Sequence, residues 1–204
     1  MPGPNAYREP EKSSQYEQKI KRSVFIAEVH PCHDEQEARA ILADVISRHR
    51  DATHNCRAYI LSDGSEYSSD DGEPSGTAGR PILNAIKHSG LVNVIVIVTR
   101  YYGGVKLGVR GLIDAYGDTA MNALELCGSA ERVATVTIRV AMSYNSVGNV
   151  TRLLEGAGAV NLQWNYAEGV SVICDVPENE CERLSGILDE LKARGIISEW
   201  EKIS

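Results

Sequence analysis

The sequence predicts an α+β protein built as two consecutive domains, and three observations carry that expectation. The chain has 204 residues, enough for two separately buried cores. Residues 94–98, Val-Ile-Val-Ile-Val, form an unbroken β-branched run of the kind found in a strand covered on both faces. Beyond Gly128-Ser129 a second series of elements begins, in the order strand, helix, strand, strand, helix, strand within about 70 residues. The chain is therefore divided into a loose leader over residues 1–19, a first domain over 20–128 and a second over 129–204.

The leader, beginning Met-Pro-Gly-Pro-Asn-Ala-Tyr, lacks the basic start and apolar stretch of a signal peptide. Residues 22–30 are rich in strand formers and stop at Pro31. A helix follows: Asp34 caps it with Glu37 three residues on, and Ala38, Ile41, Leu42, Val45 and Ile46 recur on one face. Residues 55–62 read as a second strand, and Asp63-Gly64 opens a long loop. Pro81 suits the first position of a short helix carrying Ile82, Leu83 and Ile86 inward and ending at Gly90. After the central strand, glycines at 103, 104, 108 and 111 precede a helix near 112–126, with Leu112, Ile113, Tyr116, Ala120 and Leu124 on one face.

In the second domain Val136, Ile138, Val140 and Met142 alternate with polar or small residues, the pattern of a half-buried strand. A helix over 146–155 comes next, then strands over 160–166 and 170–176 joined at Ala167-Glu168-Gly169. Cys181, Leu184, Ile187, Leu188 and Leu191 mark a last helix, and 196–200 a closing strand. That order is the ferredoxin-like βαββαβ arrangement.

Composition narrows the classes. An apolar fraction of 43% and a charged fraction of 24% are those of an ordinary globular protein. No apolar run approaches the roughly 20 residues of a membrane helix, so no membrane partner is expected. The net charge is −7: residues 20–128 hold 11 Lys/Arg against 14 Asp/Glu, and 129–204 hold 7 against 11. Neither half is a basic module, so nucleic-acid binding has to rest on a local patch. Five scattered cysteines without a CxxC pair point to free thiols in a reducing cytoplasm. The spacings of Cys32-His33 and His54-x-Cys56 match no common zinc site, and nothing in the sequence calls for a cofactor.

Two segments resist explanation by packing, Ser68 to Gly79 and Arg100 to Gly108, because both are rich in glycine, charge and hydroxyls between segments that are plainly core. Asp63, Asp70, Asp71 and Glu73 cluster carboxylates that can hold a divalent cation, but they lack EF-hand spacing, and solvation of an exposed loop is the plainer reading. Ser75, Gly76, Thr77 and Gly79 lead into a helix N-terminus beside Arg80, where free N–H groups can receive an anion; capping by Ser75 or Thr77 explains them more simply. Arg100, Tyr101, Tyr102, Gly103, Gly104, Lys106 and Gly108 lie just past the end of the central strand, a common place for sites in α/β sheets. Cations beside aromatics suit phosphates and bases. Equally, one tyrosine can enter the core while Arg100 pairs with an acid of the preceding loop such as Asp70 or Asp71. Thr53-His54-Asn55-Cys56 contains a His/Cys pair with no acid to orient it, and reads better as a turn leading into a strand.

The runs THNCRAY, SDDGEPSGTAGRPIL, VTRYYGGVKLG and GLIDAYG resemble the IMPACT/YigZ family across essentially the whole first domain. The second domain resembles the module that two-domain bacterial YigZ-type members carry. The resemblance implies a first domain similar to domain IV of elongation factor G and a ferredoxin-like second domain similar to its domain V. It also implies a link to translation, since eukaryotic relatives act as translational regulators by binding a co-activator of a starvation-responsive kinase. The sequence departs from the usual bacterial pattern at Arg110, where a second glycine is common, and at Asp114, where a basic residue is frequent.

The expectation is a cytoplasmic, non-enzymatic binding protein that contacts RNA, the ribosome or a translation-related protein through Asp70–Gly79 and Arg100–Gly108. An alternative is a metal-dependent hydrolase of a small phosphorylated substrate, with Asp70, Asp71 and Glu73 on the cation. A third reading is an interaction module using Gln163, Trp164, Asn165 and Tyr166 on the second domain's sheet.

Overall fold

A computed structural model of the chain describes residues 6–167 and 169–203. Packing divides it into one unit over Tyr7–Arg132 and another that begins at Val133, rather than at Gly128-Ser129. The difference arises because the segment after Ser129 is itself a strand: β1 (Ala6–Glu9) pairs with β7 (Ala130–Val133) in a two-stranded ribbon.

The first unit is built on a five-stranded sheet in the order β2-β3-β6-β4-β5, comprising β2 (Ser14–Ile20), β3 (Ser23–Pro31), β4 (His54–Ile60), β5 (Glu66–Ser69) and β6 (Val94–Tyr101). Every neighbouring pair in it is antiparallel. The β-branched run lies at the centre, and its alternation splits two cores. Val94, Val96 and Val98 face α2 (Gly79–Ser89) and α3 (Gly108–Leu126), meeting Ile82, Ile86, Leu112 and Tyr116. Ile95 and Ile97 face the other way, toward Ala38 and Val45 of α1 (Glu35–Arg48). Asp34 caps α1, its Oδ1 accepting from Glu37 N–H at 2.7 Å. Ile46, assigned to the inward face, is 43% exposed, because the stripe that meets the sheet is narrower than its apolar residues.

Residues 6–9 and 14–19, expected as leader, lie in strands, the second running on to Ile20; residues 1–5 of that segment lie outside the described residues. β2 is an edge strand whose inward side chains are partly polar. Ser14 Oγ donates to Ala123 O at 2.6 Å, and Gln18 donates to Thr119 Oγ1 and Ala115 O. The hydroxyl and amide are satisfied by α3, so the strand is held without the apolar alternation that marks its neighbours.

The second unit is a four-stranded antiparallel sheet, order β11-β8-β10-β9, from β8 (Thr135–Met142), β9 (Val160–Asn165), β10 (Val170–Pro177) and β11 (Ile197–Lys202). Numbered within the unit, that order is 4-1-3-2, the split βαββαβ topology. α4 (Val147–Gly156), entered through a 3-10 turn at Tyr144–Ser146, and α5 (Glu178–Ala193) bury Val150, Leu154, Leu184 and Leu188 against Ile138, Val140 and Val172. The connection expected at Ala167-Glu168-Gly169 includes Glu168, which lies outside the described residues.

Candidate functional site

In the loop between β5 and α2 one carboxylate, that of Asp70, closes the turn onto the helix. Asp70 Oδ1 accepts N–H groups of Ala78 and Gly79 at 2.9 and 2.8 Å, and Oδ2 accepts that of Gly76 at 2.8 Å. Burial acts to raise this carboxyl, but the three backbone donors outweigh it and hold it below its ordinary value. The anion cradle expected at Ser75–Gly79 is therefore occupied by the chain's own Asp70. Neither Ser75 nor Thr77 caps the helix: the N-cap is Ala78 with no side-chain cap, and Thr77 Oγ1 instead donates to Pro74 O at 2.6 Å. Local sequence windows miss this cap because it comes from Asp70, across the turn. Gly79 is needed because a Cβ there would lie 2.7 Å from the Ser69 backbone. Ser75 and Arg80 are exposed.

The three acids proposed for a cation are each used elsewhere. Asp71 Oδ2 accepts from Asn55 N–H at 2.7 Å. Glu73, 9% exposed, accepts from Arg100 Nη1 and from the Tyr116 hydroxyl at 2.8 Å. Among the described residues no three His, Cys, Asp or Glu side chains are arranged to hold a metal ion.

Arg100 is 4% exposed and is a structural anchor, its partner being Glu73 and not Asp70 or Asp71. Its guanidinium lies between the rings of Phe25 and Tyr102, 5.3 and 5.2 Å from their centroids, and Nη2 donates to Ser23 Oγ at 3.3 Å. Its Nε is buried without a hydrogen-bond partner among the described residues. The tyrosines diverge, as strand alternation requires. Tyr101 is hydrogen-bonded to His49 Nδ1 at 2.8 Å on the α1 side, whereas Tyr102 is 44% exposed. β6 is antiparallel to both neighbours, so the rule placing sites at strand ends of parallel sheets does not apply; the residues past β6 gain their position from the turns they touch. Gly103 is one such contact: a Cβ there would lie 1.9 Å from Arg22 O.

An open cleft of about 440 Å³ joins the two segments. Glu73 and Pro74 come from the first, Arg100, Tyr102, Lys106 and Gly108 from the second, with Leu107, Val109 and Leu112 completing an apolar wall. Asp70, Asp71, Ser75, Gly76, Thr77, Gly79, Arg80, Tyr101, Gly103 and Gly104 do not line it. Thr53 and His54 do, and were not selected from sequence. Thr53 Oγ1 accepts from Tyr102 N–H at 3.1 Å. His54 Nδ1 donates to Asp71 O at 2.8 Å, which leaves Nε2 3.9 Å from Glu73 Oε1. The His/Cys pair is not a nucleophile and base, because the Cys56 Sγ donates to Asp70 O at 2.9 Å and burial pushes its thiol up to about 12. Lys21 and Arg22, in the β2–β3 turn against Gly103, are exposed, and with Lys106 they form no ion pair among the described residues. Their signal was the Lys-Arg pair at the start of the first recognised strand. Arg110 and Asp114 pair with each other at 3.1 Å, so the two departures from the bacterial pattern cancel in charge.

On the second unit, Gln163 and Asn165 lie opposite Ile173 and Ser171 on the sheet face away from the helices. Trp164 lies opposite Val172 and packs on the core, so it does not share the outer face with Gln163 and Asn165; Trp164 and Tyr166 stack at 6.2 Å at the strand end.

Sheet, cleft and following domain define a two-domain α+β protein with an open cleft at one end of its first sheet. Residues 21–124 match the Impact N-terminal domain. An IMPACT family member of Bacillus subtilis, YvyE, is 34% identical over 92% of this chain and 87% of its own, and one from Haemophilus influenzae is 32% identical over 97% and 98%. A crystal structure of a hypothetical protein superimposes with a TM-score of 0.71 at 27% identity, covering 98% of each chain. The chain belongs to the IMPACT family.

Proposed function

We propose that this protein is a cytoplasmic, non-enzymatic binding protein of the translation apparatus, and that the cleft of the first domain contacts RNA, on the ribosome or free. The observation that carries this reading is that the exposed Tyr102 and Lys106 line the cleft while Lys21 and Arg22 stand in the turn against Gly103, none of the three cations ion-paired among the described residues, in a protein of net charge −7. Such a patch supplies locally what the bulk charge withholds. The link to translation follows from the family resemblance, which implies a likeness of the two domains to domains IV and V of elongation factor G. Hydrolysis is disfavoured because Asp70, Asp71 and Glu73 are already bound within the chain.

Filter binding to structured RNA and to ribosomes over a salt series tests the reading. Affinity should fall steeply with salt, and the double variant R22A/K106A should flatten the slope by about 1–2. Absence of binding to either at low salt, or an unchanged slope, would refute it.

A further inference from the structure

The α1 side of the first sheet carries a second concavity, and none of its lining residues lines the cleft. Tyr59 of β4 and Tyr67 of β5 stand directly opposite each other there, their rings stacked at 5.5 Å and 21°. α1 packs on Ile95 at the centre of this face, but Tyr67 on the edge strand stays 43% exposed. Between them lies an open groove of about 240 Å³, floored by Ala38, Leu42 and Ile95. Arg57 of β4 forms part of its wall. The guanidinium lies 5.8 Å from the Tyr67 ring centroid, and its ion-pair partner, Asp71 Oδ1, is 3.8 Å from Nη1, outside hydrogen-bond reach. Among the described residues the Arg57 side chain makes no hydrogen bond, so its five donors are left to solvent or to a ligand. The other charges are better matched: Arg39 and Glu35 at the groove hold each other at 3.2 Å, and Asp71 Oδ2 accepts from Asn55 N–H.

We infer that this groove binds a small aromatic carboxylate, its ring on Tyr67 over the floor of Ala38, Leu42 and Ile95 and its carboxylate on the Arg57 guanidinium. Apolar floor, exposed ring and one convergent cation are the parts of a small-molecule site. Size selects a single ring: an apolar cavity of about 150 Å³ takes benzene, so about 240 Å³ holds one ring with one short substituent and not a nucleotide. Shape selects the acid, because the guanidinium fork matches the two oxygens of a planar carboxylate. Charge selects against phosphate: Glu35 lines the groove and Asp71 stands beside Arg57, and both repel a dianion more than a single negative charge. The inference does not depend on the RNA reading of the cleft.

Methyl- and amide-resolved NMR of the whole chain, titrated separately with benzoate, benzamide, acetate and inorganic phosphate, tests it. Benzoate should shift the Leu42 and Ile95 methyls and the Arg57 Nε–H saturably. Benzamide, with the ring and no charge, and acetate, with the charge and no ring, should each need about tenfold higher concentration. Phosphate should leave these signals in place. R57Q should weaken benzoate about tenfold and leave benzamide unchanged, Y67A should weaken both about fivefold, and K106A in the cleft should alter neither. Arg57 and Tyr67 both reach solvent, so the variants should keep the wild-type spectrum away from the groove. No saturable shift with benzoate, acetate acting as well as benzoate, or an unchanged benzoate affinity in R57Q would overturn the inference. RNA and ribosome binding by the cleft is read separately by the salt series, and neither result alters the other.

Discussion

Glu73 and Arg100 form a buried ion pair that joins the β5–α2 loop to the end of the central strand, and it sets the position of everything around the cleft. The carboxylate also takes the Tyr116 hydroxyl of α3, so one side chain ties loop, sheet and helix together. Both partners are under a tenth exposed, and the aromatic rings on Arg100 exclude water.

Removing one member should therefore cost more than removing a neutral contact. E73Q leaves the guanidinium buried without its counter-charge and should destabilise the first domain by about 3–5 kcal/mol in urea unfolding. Y116F removes one hydroxyl donor to the same oxygen and should cost about 1–3 kcal/mol. Equal losses for the two variants would show that the charge pairing is not what holds the loop.

Asp70 makes a separable prediction. D70A frees the N–H groups of Gly76, Ala78 and Gly79 and should cost about 1–2 kcal/mol, lowering the melting temperature by about 4–8 °C. Its carboxyl is held below its ordinary value in the fold, so this contribution is complete above the unfolded value near about 4 and is lost as pH falls through the folded one. The difference between wild type and D70A should shrink on acidification. A difference that stays constant to low pH would argue against the cap.

Fold and site were legible to different depths. Val94–Val98 announced a two-faced central strand because burial on both sides demands an unbroken apolar run, and its residues do divide between two cores. β5 escaped notice because it is four residues long, on an edge and largely exposed, with Glu66 paired to Lys87. That the two segments are not core was legible from their composition; that they meet was an expectation only. The partners within them were not legible: Asp70 reaches across a turn to α2, and Arg100 pairs with Glu73 and not with Asp70 or Asp71. Such choices depend on backbone direction, which residue identity does not report.

Thiol accessibility follows from burial. Cys32, Cys56, Cys127 and Cys174 are buried and Cys181 is partly exposed. Burial pushes the thiols of Cys32 and Cys174 up to about 11 and that of Cys56 up to about 12. Brief alkylation of native protein at neutral pH, read by mass spectrometry of peptides, should mark Cys181 and leave these others until denaturant is added. Fast labelling of Cys56 would mean that the β5–α2 loop opens readily.

The face of the sheet opposite the cleft holds a carboxylate kept far below its ordinary range. Glu28 of β3 is 5% exposed and accepts from Arg48 at 2.7 and 3.1 Å, with ring nitrogens of His30 and His49 each at 3.3 Å. Burial works to raise its carboxyl, but the hydrogen bonds from His30 and Arg48 prevail and bring it down to about 2. With the folded value depressed, the stabilisation is fully present above the unfolded value near about 4.3 and disappears as pH falls toward the folded one. E28Q has no such proton to bind, so between pH 5 and pH 2 its stability should fall less steeply than that of wild type, the two curves converging by on the order of 2 kcal/mol. The remaining carboxylates are common to both proteins and cancel in the comparison. Urea midpoints across that range read the difference, and parallel curves would show that Glu28 is not held ionised by its basic neighbours.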